Sequence, residues 1–227
     1  QPEFTQLDIE MSFIDEVDIY NSIEGLLKKI MKEIHKKDIV IPFQKMDFKE
    51  AMEKYGSDKP DLRFGLELID VDVVAKKTTF DIFKKAEVVK CIYIKQELSR
   101  KEIESLEEFI KQNKGQGLAW IKVNGTDLEG SLAKFFSEEA KNELLKITQA
   151  KNGTLLFIAD RRKLVNDLLG RLRKEIALKY NLINKEDFKF HSTIAFKDVD
   201  SNKLKQILNY LKNRKHPNIR QTLLRVT

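Results

Sequence analysis

Phe4, Gln6 and Asp8 occupy alternate positions in the stretch "QPEFTQLDIEMSF". In an extended strand, residues two apart share a face. One face would then carry an aromatic ring able to stack on a purine, an amide able to bond a ring or phosphate edge, and a carboxylate able to hold an ammonium group. By residue type alone, the same face also describes an ordinary solvated strand. A second candidate lies in "FKFHSTIAFKD", where His191 and Thr193 are likewise two apart. An imidazole and a hydroxyl on one strand face suit the handling of a phosphate. The other histidines, His35 in "EIHKKD" and His216 in "RKHPN", have no Ser or Thr two residues on.

Both candidates need strands to hold them. Residues 3–13 alternate, with Leu7, Ile9, Met11 and Phe13 on one side and Phe4, Gln6, Asp8, Glu10 and Ser12 on the other, which predicts a half-buried antiparallel strand. Ile23, Leu26, Leu27, Ile30, Met31 and Ile34 recur at helical spacing and predict an amphipathic helix over 16–36. Asp47 and Glu50 predict a capping box on a short helix that Gly56 ends. "YGSDKPDLRFGLELID", 55–70, reads as loop. Then follow a strand over Val88–Lys95, a helix from the Ser99/Glu102 cap to Asn113, and a strand over Gly117–Asn124 closed by an Asn124-Gly125 turn. Beyond these come a helix from Ser137 to Thr148, a buried strand over Thr154–Ala159, and a long helix from Asp160 to Tyr180. A strand from Phe188, a basic helix from Asn202 to Arg214 and the apolar "TLLRVT" complete the chain.

Composition narrows the class. The chain has 227 residues, 41% hydrophobic and 34% charged, enough for one or two packed domains. No run of about 18 apolar residues predicts a membrane span. The start is polar and acidic, without a secretory leader or an initiating Met, so a cytoplasmic piece of a longer protein is expected. The single cysteine, Cys91, excludes an internal disulfide and a Cys-based zinc site and reads as a core thiol. The formal charge of +6 belongs to the tail: residues 201–227 hold seven Lys/Arg and no acid, whereas the first 200 hold 35 basic and 36 acidic residues. Such a tail suits either a solvated helix face or contact with phosphates.

"QPEFTQLDIEMSF" resembles the second half of the ATP-binding motif of class II aminoacyl-tRNA synthetases, in its aspartyl form, and "YGSDKPDLRF" resembles the segment that follows in bacterial-type members. "SRKEIESLEEF", "GLAWIKV", "AKFFSEE", "GTLLFIAD" and "KLVNDLLGRLRKEIALKYNLI" are similar, in order, to that family's inserted mixed α/β domain (the GAD domain) and the return toward the catalytic sheet. The resemblance covers about residues 1–190. It implies that Phe4 packs on adenine, that Gln1 and Gln6 contact the nucleotide, and that Asp8 sits by the α-ammonium of aspartate. It also implies ATP and Mg2+ as cofactors, tRNA as partner and a homodimeric parent enzyme.

The implied fold is α+β: a partial class II antiparallel sheet over 1–70, a GAD-like insertion over 71–165, and a return helix over 166–190. The arginine before the first strand, the specificity loop, the anticodon-binding barrel, the paired histidines and the final arginine-bearing motif are not matched by this sequence. The resemblance therefore implies a fragment inactive by itself in adenylation. The tail, 191–227, resembles instead one half of a two-histidine phosphoesterase, the group that includes 2′–5′ RNA ligase-like proteins acting on 2′,3′-cyclic phosphates. His191 and Thr193 would be one half-site there, with Ser192 in place of the usual apolar residue and no second pair in the chain. A non-catalytic GAD module touching tRNA or protein is the third reading.

Overall fold

The computed structural model describes residues 7–183, 191–194 and 223–226. The chain divides into two units, residues 1–44 with 196–227, and residues 45–195.

In the first unit, β1 (Leu7–Glu10) pairs antiparallel with β9 (Leu223–Val226). The alternation over 3–13 predicts a longer, half-buried strand, but Ile9, Met11 and Phe13 are exposed. Phe13 has a φ of 61°, which extended backbone cannot accommodate, so the strand stops before its apolar pattern does. α1 (Glu16–Glu33) starts at Asp15, whose carboxylate accepts the N–H groups of Val17 and Asp18 while Asp18 returns a bond to the Asp15 N–H. The residue types carry the signal for this cap, an Asp followed three residues on by a second acid. The expected apolar face is only partly used. Met31 is buried, but Ile23, Ile30 and Ile34 are exposed, and Glu24 is buried in their stead. Its carboxylate accepts the Phe43 N–H at 3.0 Å, which removes the cost of burying an unpaired charge.

In the second unit, β2 (Gln44–Asp47) pairs with β8 (His191–Ile194) and leads into α2 (Phe48–Tyr55). Asp47 caps α2 through the Lys49 N–H. The reciprocal Glu50 bond of a capping box is replaced by a pair with Lys54, one turn on, at 2.8 Å. The expected loop over 55–70 ends in a short strand, β3 (Leu68–Asp70). α3 (Asp72–Ala75) and α4 (Asp81–Lys85) precede β4 (Val88–Ile94). α5 (Arg100–Gln112) carries the predicted Ser99/Glu102 box in full. β5 (Ala119–Asn124) turns through Gly125, at φ 60°, into an edge strand that the sequence reading lacks, β6 (Asp127–Glu129). α6 (Glu138–Thr148) is capped by Ser137 as predicted. β7 (Asn152–Asp160) and α7 (Arg162–Lys179) follow. Asp160 does not cap α7: the N-cap is Arg161, and Asp160 accepts only the Arg161 N–H. The basic helix expected over 202–214 lies outside the described residues.

The five-stranded sheet has the order β3-β4-β7-β5-β6 and is antiparallel throughout. Both faces of its centre are covered, so β4 and β7 read as nearly unbroken apolar runs rather than alternating ones. On one face Val88, Ile92, Ile94, Leu156 and Ile158 pack with Ile103, Leu106 and Ile110 of α5 and Leu168, Leu169, Leu172 and Ile176 of α7. On the other, Val89, Cys91, Leu155 and Phe157 pack with Val74, Phe83, Ala140 and Leu144 of α3, α4 and α6. Each Val, Leu, Ile or Phe among them contributes about 1.5–3 kcal/mol on burial. Cys91 is the buried core thiol expected, and burial pushes its pKa up. The expected boundaries at 70/71 and 165/166 both fall inside this unit, because α7 closes the first core and packs on α2.

The α2–α7 contact is made by backbone. A Cβ on Gly170 would lie 2.7 Å from the Gly56 carbonyl oxygen, and Gly56 itself ends α2 at a φ of 67°. Gly170→Ala should lower stability by about 1–3 kcal/mol through overpacking, despite the roughly 1 kcal/mol that Ala gains over Gly in a helix. Urea denaturation measures it, and an unchanged midpoint would show that the contact yields. A second device joins α5 to α7: the Tyr180 hydroxyl donates to Glu102 at 2.8 Å. Glu102 also accepts from the Ser99 hydroxyl and N–H, and these bonds hold its pKa down to about 2. A folded-state pKa below the unfolded value contributes stability at higher pH that is lost as pH falls. The stability difference between wild type and Glu102→Gln should therefore be full at pH 6 and shrink progressively as pH falls from the ordinary carboxylate range toward 2.

Candidate functional site

Of the residues that could do chemistry, Asp8 falls on β1, directly opposite Arg225 of β9 in register. Gln1, Phe4 and Gln6 lie outside the described residues. His191 and Thr193 both fall on β8, at first and third positions of one strand. Among the described residues, no three His, Cys, Asp or Glu side chains converge to hold a metal ion. No described helix is long and apolar enough to cross a membrane.

The most developed polar constellation surrounds "YGSDKPDLRF" and was not among the predicted site residues. Arg173 of α7 is 3% exposed. Its Nη2 donates to the carbonyls of Asp61 and Gly65 at 3.0 Å and of Phe64 at 3.5 Å, and its Nε to Leu66 at 3.2 Å. The guanidinium carbon lies 4.4 Å from the Phe64 ring centroid and 5.0 Å from that of Tyr55. Burial lowers the Arg173 pKa, while Tyr55, Asp61 and Glu67 pull it upward. The loop adds its own clamp, a forked Asp61–Arg63 pair at 2.6–3.2 Å, whose hydrogen bonds hold Asp61 below the usual carboxylate range. Tyr55 donates to Glu67 at 3.1 Å across the loop's base.

A second constellation lies one strand away. Lys90 of β4, 1% exposed, donates to the Glu53 carboxylate at 2.5 Å and to the Glu53 carbonyl at 3.0 Å. Arg162 reaches the same carboxylate at 2.9 Å and Asp70 at 3.7 Å. Burial raises the Glu53 pKa, but the bonds and charges of Lys90 and Arg162 and a bond from Asn166 outweigh it, so the group stays ionised. Asn166 Oδ1 is buried without a partner. Both constellations had a signal in the sequence. Arg173 interrupts the buried stripe Leu169, Leu172, Ile176 at a core position, and Lys90 interrupts "VVKCIYI". A charge at an apolar slot needs a dedicated partner.

The chain matches the model of the class II tRNA synthetases (D, K and N) over residues 1–217 and belongs to that family. It is 43% identical over 208 residues to a protein named aspartate–tRNA ligase from Halalkalibacterium halodurans, covering 88% of this chain and 35% of that protein. It is 44% identical over 198 residues to an aspartate–tRNA ligase from Macrococcus caseolyticus, covering 84% of this chain and 33% of the relative. With an aspartate–tRNA(Asp/Asn) ligase from Hydrogenobaculum it shares 43% over 201 residues, 86% of this chain and 34% of the relative. The chain thus spans about a third of the length of the curated relatives it matches. The family match runs past Phe190 and takes in His191 and Thr193.

Arg173→Met should destabilise the protein by about 3–5 kcal/mol, because loop carbonyls lose a buried charged donor. Arg173→Lys should recover only part of this, since a point ammonium cannot reproduce the planar fork. Urea denaturation reads both, and equal stability of Lys and Arg would show that charge alone matters.

Proposed function

We propose that this chain is part of an aspartate–tRNA ligase that activates aspartate with ATP and transfers it to tRNA. The observation that carries this is identity of 43–44% to aspartate–tRNA ligases over more than four-fifths of the chain. Gln1, Phe4 and Gln6 would hold ATP, with adenine on the Phe4 ring, and Asp8 would hold the α-ammonium of aspartate. The alternation of residue types in "QPEFTQLDIEMSF" supports a shared face for Phe4, Gln6 and Asp8. Mg2+ would enter with the nucleotide, since this ion is commonly held by one or two carboxylates plus substrate phosphates. Such catalysis consists of positioning and of charge stabilisation on phosphate and adenylate. Residues 71–165 are assigned to the inserted GAD-like domain, the parent enzyme to a cytoplasmic homodimer.

Aspartate-dependent ATP–pyrophosphate exchange by the complete enzyme tests the reading. Phe4→Leu should raise KM for ATP roughly two- to tenfold, the range of one aromatic stacking contact. Asp8→Asn should raise KM for aspartate roughly tenfold to a hundredfold, as expected for one hydrogen bond to a charged group. Exchange with another amino acid, or an Asp8→Asn enzyme with unchanged KM, would sink the assignment.

A further inference from the structure

A cavity of about 600 Å3 lies at the Ile94 end of β4 in the larger unit. Its size falls in the range of small-ligand sites. Three separate segments line it: the Arg173-held loop at Leu66, the end of α6 at Ile147, and the residues after α7 at Leu182. Ile69 of β3 and Tyr93 of β4 line it as well. Ile147 is 39% exposed and Leu182 37%, so two large apolar side chains from distant parts of the chain stay accessible at one cavity.

The walls are held in place by bonds already made. Arg173 donates to the carbonyls of Phe64, Gly65 and Leu66. The Tyr93 hydroxyl donates to the Asn152 carbonyl at 2.8 Å, and the Thr148 hydroxyl to the Leu144 carbonyl at 2.8 Å. Two lining residues, Leu66 at φ 61° and Gln149 at φ 52°, adopt the left-handed conformation. Each such residue costs about 1–3 kcal/mol, and such positions cluster at ligand sites.

The polar side chains at the cavity divide by what they already bond. Glu67 accepts the Tyr55 hydroxyl at 3.1 Å, and its charge acts on Lys54 and Arg173. Lys95, Gln96 and Gln149 are exposed, and their side chains make no hydrogen bond or ion pair among the described residues. One ammonium and two amide NH2 groups are thus donors beside an apolar space. A carboxylate accepts several such bonds at once, and those from a cation are the strong ones. A single lysine matches a single negative charge, and the apolar lining matches a hydrocarbon body.

We propose that this cavity binds a small monocarboxylate with a bulky apolar body, its carboxylate on Lys95, Gln96 and Gln149 and its body against Leu66, Ile69, Ile147 and Leu182. Isothermal titration calorimetry of the full chain with octanoate, octanol and octylamine tests it, because the three share one body and differ in head group. Octanoate should fill one saturable site, octanol should bind more weakly, and octylamine weakest. Lys95→Gln should weaken octanoate roughly tenfold to a hundredfold, the range of one hydrogen bond to a charged group, and leave octanol unchanged. Ile147→Ser should weaken octanoate and octanol alike, by roughly four- to fifteenfold, the worth of one or two buried methylenes. Both residues are exposed, so neither variant disturbs the core. Octylamine binding as tightly as octanoate, full octanoate affinity in either variant, or no saturable octanoate site would overturn the proposal.

Discussion

A single guanidinium holds the segment between α2 and β3. Residues 61–66 form neither helix nor strand, so their carbonyls have no ladder to join, and a buried unpaired carbonyl costs about 1–3 kcal/mol. Arg173 answers four of them at once. Only a planar fork can serve acceptors spread around a curved backbone, and only a weakly hydrated cation can be buried between Tyr55 and Phe64 without prohibitive desolvation. Leu66 adopts a φ of 61°, a conformation that leucine avoids. That strain is offset by the bond its carbonyl receives.

The rest of the larger unit depends on the helix that carries this arginine. α7 supplies one wall of the first core through Leu168, Leu169, Leu172 and Ile176. It brings Gly170 against Gly56, and it sends Arg162 to the carboxylate that Lys90 also needs. The Glu53 pair is a specificity device more than a source of stability, since replacing such buried pairs with apolar groups is often neutral. It ties α2 to the sheet and to α7, because the Glu53 carboxylate is reached by Lys90 of β4 and by Arg162. Together these contacts explain why the unit extends to include α7 and does not close at β7.

Much of this architecture could be read from the sequence, for identifiable reasons. α5 and α6 begin with Ser caps, and β4 and β7 are apolar runs of the right length, so local chemistry and tertiary burial agree. The failures occur where tertiary context overrides pattern. β3 and β6 are three residues long, too short for periodicity to register. The apolar stripe of α1 predicts a buried face, yet Glu24 occupies the interior because a backbone N–H 19 residues away pairs with it. For the site, residue types and alternation point to a nucleotide face at Phe4, Gln6 and Asp8, whereas Arg173 and Lys90 show only as charges in apolar runs. Their partners are distant in sequence, and no spacing rule encodes a bond from residue 173 to residue 61.

The central position of β7 also sets an order of events in synthesis. β4 pairs along its whole length with β7, so Ile94 finds Thr154 only after some sixty residues of chain have been made. Until then, β4 has a three-residue partner in β3, and the faces of both cores are open. Contacts this distant must pay loop-closure entropy before they return any stabilisation. On the ribosome, the apolar run Val88–Ile94 would emerge well before its cover, and the first core would close only when α7 cleared the exit. The interval between those two moments is when a chaperone has most to shield, and it is fixed by topology alone.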